Sequence, residues 1–363
     1  MQLITSESEK FLRRYLNNAS PTGYEASGQK LWLEYLEPYI DEWRLDNYGT
    51  AYAIINPGQD YKVVIEGHAD EISWFVNYIT EDGFIHVIRN GGSDHMIAPS
   101  MRVFIHLRQG GKVEGVFGWP AIHTRTDKDA NISPSLENIT IDVGAKDREE
   151  VVKMGIHVGC VVTFQDEFTI LNDRYYVGRA LDNRMGGFCV AEVARLLHIN
   201  KIKLPYTLYV VNSVQEEVGL RGAEMIAETI RPNVAIVTDV THDTHTPMIN
   251  MKKHGDVRSG HGPSVTYAPA VHQRLLDLII GTAQEKDIPF QREAASRMTG
   301  TDTDAFAYSG GGVPSALISL PLRYMHTTVE MAHKDDVANL IRLIYESLQK
   351  IEKGHDFHYF SKI

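Results

Sequence analysis

Apolar residues follow two spacings along the chain, one typical of buried strands and the other typical of helices. Short apolar runs that indicate buried strands lie at 62–67, 207–214, 234–238 and 315–320. Apolar residues at helical spacing lie at 5–18, 26–39, 184–198, 220–230, 270–286 and 335–352. Because strands that alternate with helices form parallel sheets, the pattern predicts an α/β fold with a mainly parallel sheet flanked by helices.

The pattern changes between residues 71 and 165. Short alternating apolar and polar runs at 84–88, 103–107 and 139–143 are separated by glycine-rich turns, and one short helix is predicted at 147–155. Alternation with a period of two is typical of half-buried strands. We therefore expect residues 71–165 to form a small β-rich domain, inserted into a first domain made of residues 1–70 and 166–363.

Composition narrows the range of functions. The 363 residues are 43% hydrophobic, which is enough for at least one full core and favours two domains. A net charge of −11, without a basic cluster, disfavours binding to nucleic acid. Cys160 and Cys189 lie in apolar sequence and disfavour a disulfide framework. Neither a signal peptide nor an apolar run long enough to cross a bilayer is present, so we expect a cytoplasmic protein without a membrane partner.

Acidic and imidazole side chains stand at the ends of the predicted strands and at the start of one helix. They are His68 and Asp70 after strand 62–67, Asp182 before helix 184–198, Glu216 and Glu217 after strand 207–214, Asp239 after strand 234–238, and His326 beyond strand 315–320. Each is weak alone, because a strand-end aspartate is more often a cap, a lone histidine is more often structural, and two adjacent glutamates can form a solvated loop. A parallel sheet, however, would bring these residues to one crevice, where they suit zinc, cobalt or manganese.

This set of residues also matches the needs of a two-metal hydrolase. Such a site needs one carboxylate shared by both metals, separate ligands for each metal, and a carboxylate outside the metal shell that takes a proton from the metal-activated water. The neighbours Glu216 and Glu217 can supply one metal ligand and one such base. Asp70, two residues after His68, is placed to accept the other ring N–H of that imidazole and fix its tautomer.

Five segments carry a family resemblance that runs nearly from end to end. The segments are 67–70 (GHAD), 178–184 (GRALDNR), 215–219 (QEEVG), 235–240 (AIVTDV) and 323–330 (RYMHTTVE). In order and spacing they resemble the dinuclear tetrahedral aminopeptidases, also called the glutamyl aminopeptidase or cellulase M family. The resemblance implies a fold of the zinc-exopeptidase type and an aminopeptidase that binds two divalent metal ions per subunit, with zinc or cobalt favoured and manganese acceptable.

The resemblance also implies a role for each candidate residue. Asp182 would bridge the metals, with His68 and Asp239 completing one site and Glu217 and His326 the other. Glu216 would be the general base and Asp70 the residue that orients His68. The insert 71–165 would be a dimerisation domain. The protein would be a homo-oligomer, in which dimers assemble into a hollow tetrahedral dodecamer. Its inward-facing active sites would admit short peptides.

Two departures from the family pattern lie outside the predicted ligands. The family often has Gly-Thr-Asp-Ala-Gly-Ala where residues 300–305 read GTDTDA, which brings the substrate pocket around Thr303 and Asp304 into question. If Asp304 lines that pocket, a basic first residue is favoured. His261 stands where the family usually has a basic residue near a Gly-Pro pair. Because neither departure changes a predicted ligand, we still expect removal of N-terminal residues from short peptides.

Two other functions remain open from the sequence. An endoglucanase-type glycosidase would use a carboxyl pair without a metal, so chelation distinguishes it from a metallopeptidase. A catalytically silent assembly protein would be indicated by an empty metal site. The two histidines among the candidate ligands favour the metallopeptidase.

Overall fold

The computed structural model describes residues 2–125 and 132–360. Within these residues the helices are α1 (Ser6–Asn17), α2 (Ala26–Leu36), α3 (Arg148–Lys153), α4 (Leu181–Ile199), α5 (Arg221–Ile230), α6 (Met251–His254), α7 (Gln273–Glu285), α8 (Asp302–Ala307) and α9 (Lys334–Leu348). Short 3-10 turns lie at Glu37–Tyr39, Ile122–Thr124 and Glu216–Val218. Across these described ranges, no helix combines the length and the apolar composition needed to cross a membrane.

The strands belong to one large sheet and one barrel. In chain order they are β1 (Glu42–Leu45), β2 (Ala51–Ile55), β3 (Lys62–His68), β4 (Ser73–Ile79), β5 (Ile85–Asn90), β6 (Arg102–His106), β7 (Lys112–Phe117), β8 (Ile141–Asp142), β9 (Val161–Phe164), β10 (Thr169–Leu171), β11 (Tyr175–Gly178), β12 (Thr207–Ser213), β13 (Val234–His242), β14 (Ser264–Tyr267), β15 (Gln291–Ala294), β16 (Ser315–Arg323) and β17 (Glu330–His333).

The large sheet has a parallel centre. Its strand order is β1-β2-β12-β3-β13-β16-β17-β11-β10, and the pairs within β12-β3-β13-β16 are parallel. The outer strands pair antiparallel, and β14 and β15 are attached beside β16. Helices pack against this sheet around one large apolar core. The predicted α/β class is thus confirmed, although the complete sheet is mixed rather than parallel throughout.

The insert is a closed antiparallel barrel with its own apolar core. Its strands follow the order β4-β5-β8-β7-β6-β9, and β9 closes the barrel on β4. Trp74 and Phe117 are fully or almost fully buried within it, with their ring centroids 5.7 Å apart. The expectation of an inserted β-rich unit is confirmed, while its limits at residues 71 and 165 stay a prediction.

One close approach between backbones brings β3 against α4. A methyl group added at Gly67 would lie 2.6 Å from the carbonyl carbon of Gly186 and 2.8 Å from the backbone nitrogen of Gly187. Only residues without a Cβ at this crossing let the strand and the helix approach so closely. Gly67 directly precedes His68, and α4 begins one residue before Asp182, so this contact brings the strand end and the helix start together.

Candidate metal centre

All seven candidate residues lie together at the carboxyl edge of the parallel strands. Their places in the fold are the end of β3 for His68, the loop beyond it for Asp70, the start of α4 for Asp182, the 3-10 turn after β12 for Glu216 and Glu217, the middle of β13 for Asp239, and the turn after β16 for His326. The parallel register explains the convergence, because His68 pairs with Ser213 of β12 and Glu66 pairs with Val237 of β13. Strand ends in this register reach the same edge of the sheet.

Asp182 lies between the two imidazoles. Its Oδ1 is 3.3 Å from Nε2 of His68, and its Oδ2 is 3.1 Å from Nε2 of His326. Each carboxylate oxygen thus points to a different histidine. This is the arrangement that a carboxylate shared by two metal ions requires.

Two groups of three potential ligands share Asp182. One consists of His68, Asp182 and Asp239, and the other of Asp182, Glu217 and His326; in each, the ligand atoms lie within 4.8 Å of one another. Glu216 belongs to neither group. It falls into a third set with His68 and Glu217, and its Oε2 lies 3.8 Å from Nε2 of His68.

Asp70 is fully buried beneath these groups. Its Oδ1 lies 3.3 Å from Nδ1 of His68, the ring nitrogen that faces away from Asp182. The same carboxylate accepts hydrogen bonds from the backbone N–H groups of Glu216 at 3.0 Å and Glu217 at 3.2 Å. Its contacts therefore extend to the turn that carries the two glutamates, which sequence reasoning did not anticipate.

Two further polar residues hold the site, and neither could be assigned a role from the sequence. Glu330 accepts hydrogen bonds from the backbone N–H groups of Asp182 and His326. The Nδ2 group of Asn183 donates to the carbonyl of Thr238, the residue before Asp239, at 2.6 Å. Both lie inside segments of the family resemblance, 323–330 and 178–184, but their contacts are to the main chain and leave no pattern in the sequence.

Carboxylates crowd this edge of the sheet and shift each other's pKa values. Burial, with the charges of neighbouring carboxylates, raises the pKa of Glu216 to about 10. Burial followed by the charge of Asp182 also raises the pKa of Glu217 well above its ordinary value, and burial acts in the same direction on Asp239. For Asp182 itself, hydrogen bonds with the two imidazoles outweigh burial and lower its pKa.

The donor set fits divalent metal ions. Two imidazoles and three carboxylates form the two groups that share Asp182, a mixture of nitrogen and oxygen donors that suits zinc, cobalt and manganese. Buried carboxylates so close together are costly without compensating positive charge. Two divalent cations would supply that charge, so the residues present fit the two metal ions that the resemblance implies.

In segment 300–305, which departs from the family pattern, the side chain of Asp304 points inward. Asp304 is 3% exposed, and its carboxylate accepts hydrogen bonds from the backbone N–H groups of Thr299 at 3.2 Å and Gly300 at 3.0 Å. Thr303 is fully buried, and its backbone N–H donates to the hydroxyl of Thr301. Asp304 therefore stabilises its own turn, and these contacts give no support to selection of a basic residue by its carboxylate.

Comparisons with known proteins agree with this geometry. The M42 glutamyl aminopeptidase family matches residues 49–343. The lysyl aminopeptidase of Pyrococcus furiosus is 33% identical over 352 residues, which cover 96% of this chain and 98% of that protein.

Solved structures show the same fold. The TET aminopeptidase of the marine sediment archaeon Thaumarchaeota archaeon SCGC AB-539-E09 superposes with a TM-score of 0.90 at 28% identity, covering 96% of this chain and 98% of that one. The Pyrococcus horikoshii TET1 peptidase, which can assemble into a tetrahedron or a large octahedral shell, has a TM-score of 0.81 at 24% identity, covering 93% and 98% of the two chains. The chain therefore belongs to the M42 glutamyl aminopeptidase family of metallo-aminopeptidases.

Proposed function

We propose that this protein is a dinuclear metallo-aminopeptidase that removes N-terminal residues from short peptides. The observation that carries the proposal is the pair of ligand groups that share Asp182, with one of its oxygens near each of the two histidines. In this assignment Asp182 bridges the two metals, His68 and Asp239 complete one site, and Glu217 and His326 complete the other. Zinc or cobalt is the proposed metal, and manganese accepts the same donors.

The protein supplies only three candidate ligands to each metal site, which leaves coordination positions for water and substrate. Two bound cations supply Lewis acidity, which polarises the scissile carbonyl and lowers the pKa of a water molecule. The protein's part is to hold the donors in place. Asp70 is the proposed orienting residue for His68, because its Oδ1 lies 3.3 Å from Nδ1 of the ring and Nε2 is left as the donor to the metal.

Glu216 is the proposed general base. Its carboxylate lies close to His68 but outside both groups that share Asp182. It takes a proton from the attacking water as the new C–O bond forms, and it transfers that proton to the leaving amine as the C–N bond breaks. The carboxylate ends the cycle in the state in which it began.

The barrel is the proposed dimerisation domain, with limits at residues 71 and 165. Apolar side chains of Ile88, Val116 and Ile122 are exposed on this part of the chain, and Ile122 is 80% exposed. Exposed apolar groups of this kind suit burial against another copy. Dimers along the six edges of a tetrahedron would give the proposed dodecamer, and light scattering measures its mass.

The experiment that tests the proposed function compares two peptides that differ only at the N-terminus. Metal-depleted protein is reconstituted with zinc or cobalt and given a short peptide with a free amine, the same peptide N-acetylated, and soluble cellulose. We expect release of the first residue from the free peptide alone, loss of this activity with a chelator, and its recovery with metal. Hydrolysis of cellulose that survives chelation, or no metal-dependent peptide hydrolysis, would overturn the proposal.

A further inference from the structure

Glu330, the first residue of β17, joins two distant parts of the candidate metal centre. Its side chain is buried, with 2% of the residue exposed. Oε2 accepts a hydrogen bond from the backbone N–H of Asp182 at 3.1 Å, and Oε1 accepts one from the backbone N–H of His326 at 2.7 Å. Asp182 lies 148 residues away along the chain, whereas His326 lies only four.

The two amides that Glu330 binds belong to members of the same ligand group. Asp182 and His326 form that group with Glu217, and Nε2 of His326 lies 3.1 Å from Oδ2 of Asp182. One carboxylate therefore sets the spacing of two main-chain segments whose side chains meet at the site. No other residue in the described part of the chain is shown to bind both amides.

Both segments contain residues in a left-handed backbone conformation, which contacts from elsewhere in the chain can stabilise. Ala180, two residues before Asp182, has a φ of 60°, and Tyr324 and His326 have φ values of 59° and 61°. Left-handed conformations at residues other than glycine are costly and persist where the surroundings hold them. Hydrogen bonds that backbone N–H groups donate to a buried carboxylate are among the stronger restraints available.

We propose that Glu330 is a positioning residue for the metal site formed by Asp182, Glu217 and His326. By binding both amides it presents the shared carboxylate and the His326 imidazole at the separation that one metal ion requires. It acts through the main chain of Asp182 and His326 rather than on the substrate or the reacting atoms. The proposal rests on the proposed two-metal function and adds a residue to it.

Two substitutions test this role in different ways. Glu330→Gln keeps the size of the side chain, but its NH₂ group cannot accept a hydrogen bond, so one amide loses its partner. Glu330→Asp keeps the charge, but its shorter side chain cannot reach both amides. Glu330→Asp also provides a folded variant if Glu330→Gln proves too unstable.

Asp336 offers a matched control. It is a fully buried carboxylate on α9 that accepts hydrogen bonds from the backbone N–H groups of Gly260 at 2.6 Å and Gly262 at 2.7 Å, and it contacts no candidate ligand. Asp336→Asn therefore breaks one half of the same kind of double contact, as Glu330→Gln does, at a carboxylate that holds no candidate ligand. It should lower the melting temperature without changing metal binding.

The experiment measures binding of Co²⁺ at each site by absorption titration, together with kcat and KM for a short free-amine peptide. We expect both Glu330 variants to bind the ion at the site formed by Asp182, Glu217 and His326 10- to 100-fold more weakly. The other ion, which shares only Asp182 with that site, should lose less affinity. At subsaturating metal, kcat should fall while KM changes little. Asp336→Asn should bind both ions like the wild-type protein.

The result that would overturn the inference is normal affinity for both ions in folded Glu330 variants, even if their melting temperature falls. An equal loss of metal affinity in Asp336→Asn would also overturn it, since the effect would then reflect general destabilisation. The wild-type protein separates this failure from failure of the proposed function. If wild-type protein binds two ions and hydrolyses the peptide, only the role of Glu330 is at stake.

Discussion

Asp70 accepts a hydrogen bond from the backbone N–H of Glu216 at 3.0 Å, across 146 residues of chain. The same oxygen lies 3.3 Å from Nδ1 of His68, and the other oxygen accepts from Glu217 N–H and from the Thr22 hydroxyl. One carboxylate therefore lies against a candidate metal ligand and also binds the turn that carries the proposed base. Orienting His68 would be only part of the role of Asp70.

Replacing Asp70 by asparagine should impair catalysis and metal binding together. An amide keeps the size of the side chain, but its NH₂ end cannot accept a hydrogen bond, so the N–H group of either Glu216 or Glu217 loses its acceptor. We expect kcat/KM for a short peptide to fall 10- to 100-fold, with weaker metal binding at the His68 site. Asp82→Asn, at an exposed position in the turn between β4 and β5, serves as the control. Unchanged kcat/KM in a folded Asp70→Asn protein would rule out this positioning role.

Gly92, in the inserted region, lies beside the His326 ring at the second proposed metal site. A methyl group at Gly92 would lie 2.8 Å from Cε1 and Nδ1 of the His326 ring. Since the imidazole is the movable partner, Gly92→Ala should displace it and lower the affinity for one metal ion at least about 10-fold. Gly118→Ala, whose added methyl meets nothing within 4 Å, should bind metal normally. Isothermal titration with Zn²⁺ measures both, and equal affinities would contradict the prediction.

The centre of the fold could be predicted because its strands are buried on both faces. β16 forms a nearly continuous apolar run and β3 has a short one at residues 63–65, which is typical of parallel strands covered by helices. The outer strands of the sheet were missed for the opposite reason. β1 is largely exposed and β15 alternates between exposed and partly buried positions, so neither contains an apolar run.

The convergence of the candidate ligands could be predicted because their positions at strand ends are visible in the sequence and their side chains are of the types that bind metals. Glu330 could not be assigned a role in the same way. It acts through two main-chain N–H groups, one of them 148 residues away, and any residue type can supply such a group. Gly92 was missed for a similar reason, because its contribution is the absence of a side chain beside His326.

Glu25 should make the stability of the protein depend on pH. Burial, followed by the charge of Asp70, raises the pKa of this carboxyl from 4.5 to about 7. The folded state therefore keeps a proton that the unfolded chain releases, and the resulting stabilisation is complete below pH 4.5 and lost as the pH rises through 7. Between pH 5 and pH 8 this group should cost roughly 2 to 3 kcal/mol of unfolding free energy.

Urea unfolding of metal-depleted protein at pH 5 and pH 8 measures this effect. Glu25→Gln has no proton to release at this position. Its unfolding free energy should therefore fall less over that range than that of the wild-type protein, by roughly 2 to 3 kcal/mol. Glu114→Gln, a substitution at an exposed position of β7, should keep the wild-type dependence. A Glu25→Gln protein with the full wild-type dependence would show that this carboxyl has an ordinary pKa.

The role of Glu216 is tested most directly by measuring turnover and metal content in the same Glu216→Gln protein. We expect two bound metal ions per chain, as in the wild-type protein, and a fall in kcat on the order of 10²- to 10⁴-fold, because glutamine cannot take the proton from water. Glu224→Gln, at an exposed position on α5, should keep full activity. Substantial peptidase activity in the metal-loaded Glu216→Gln protein would contradict the assigned base, and loss of a metal ion would make Glu216 a ligand instead.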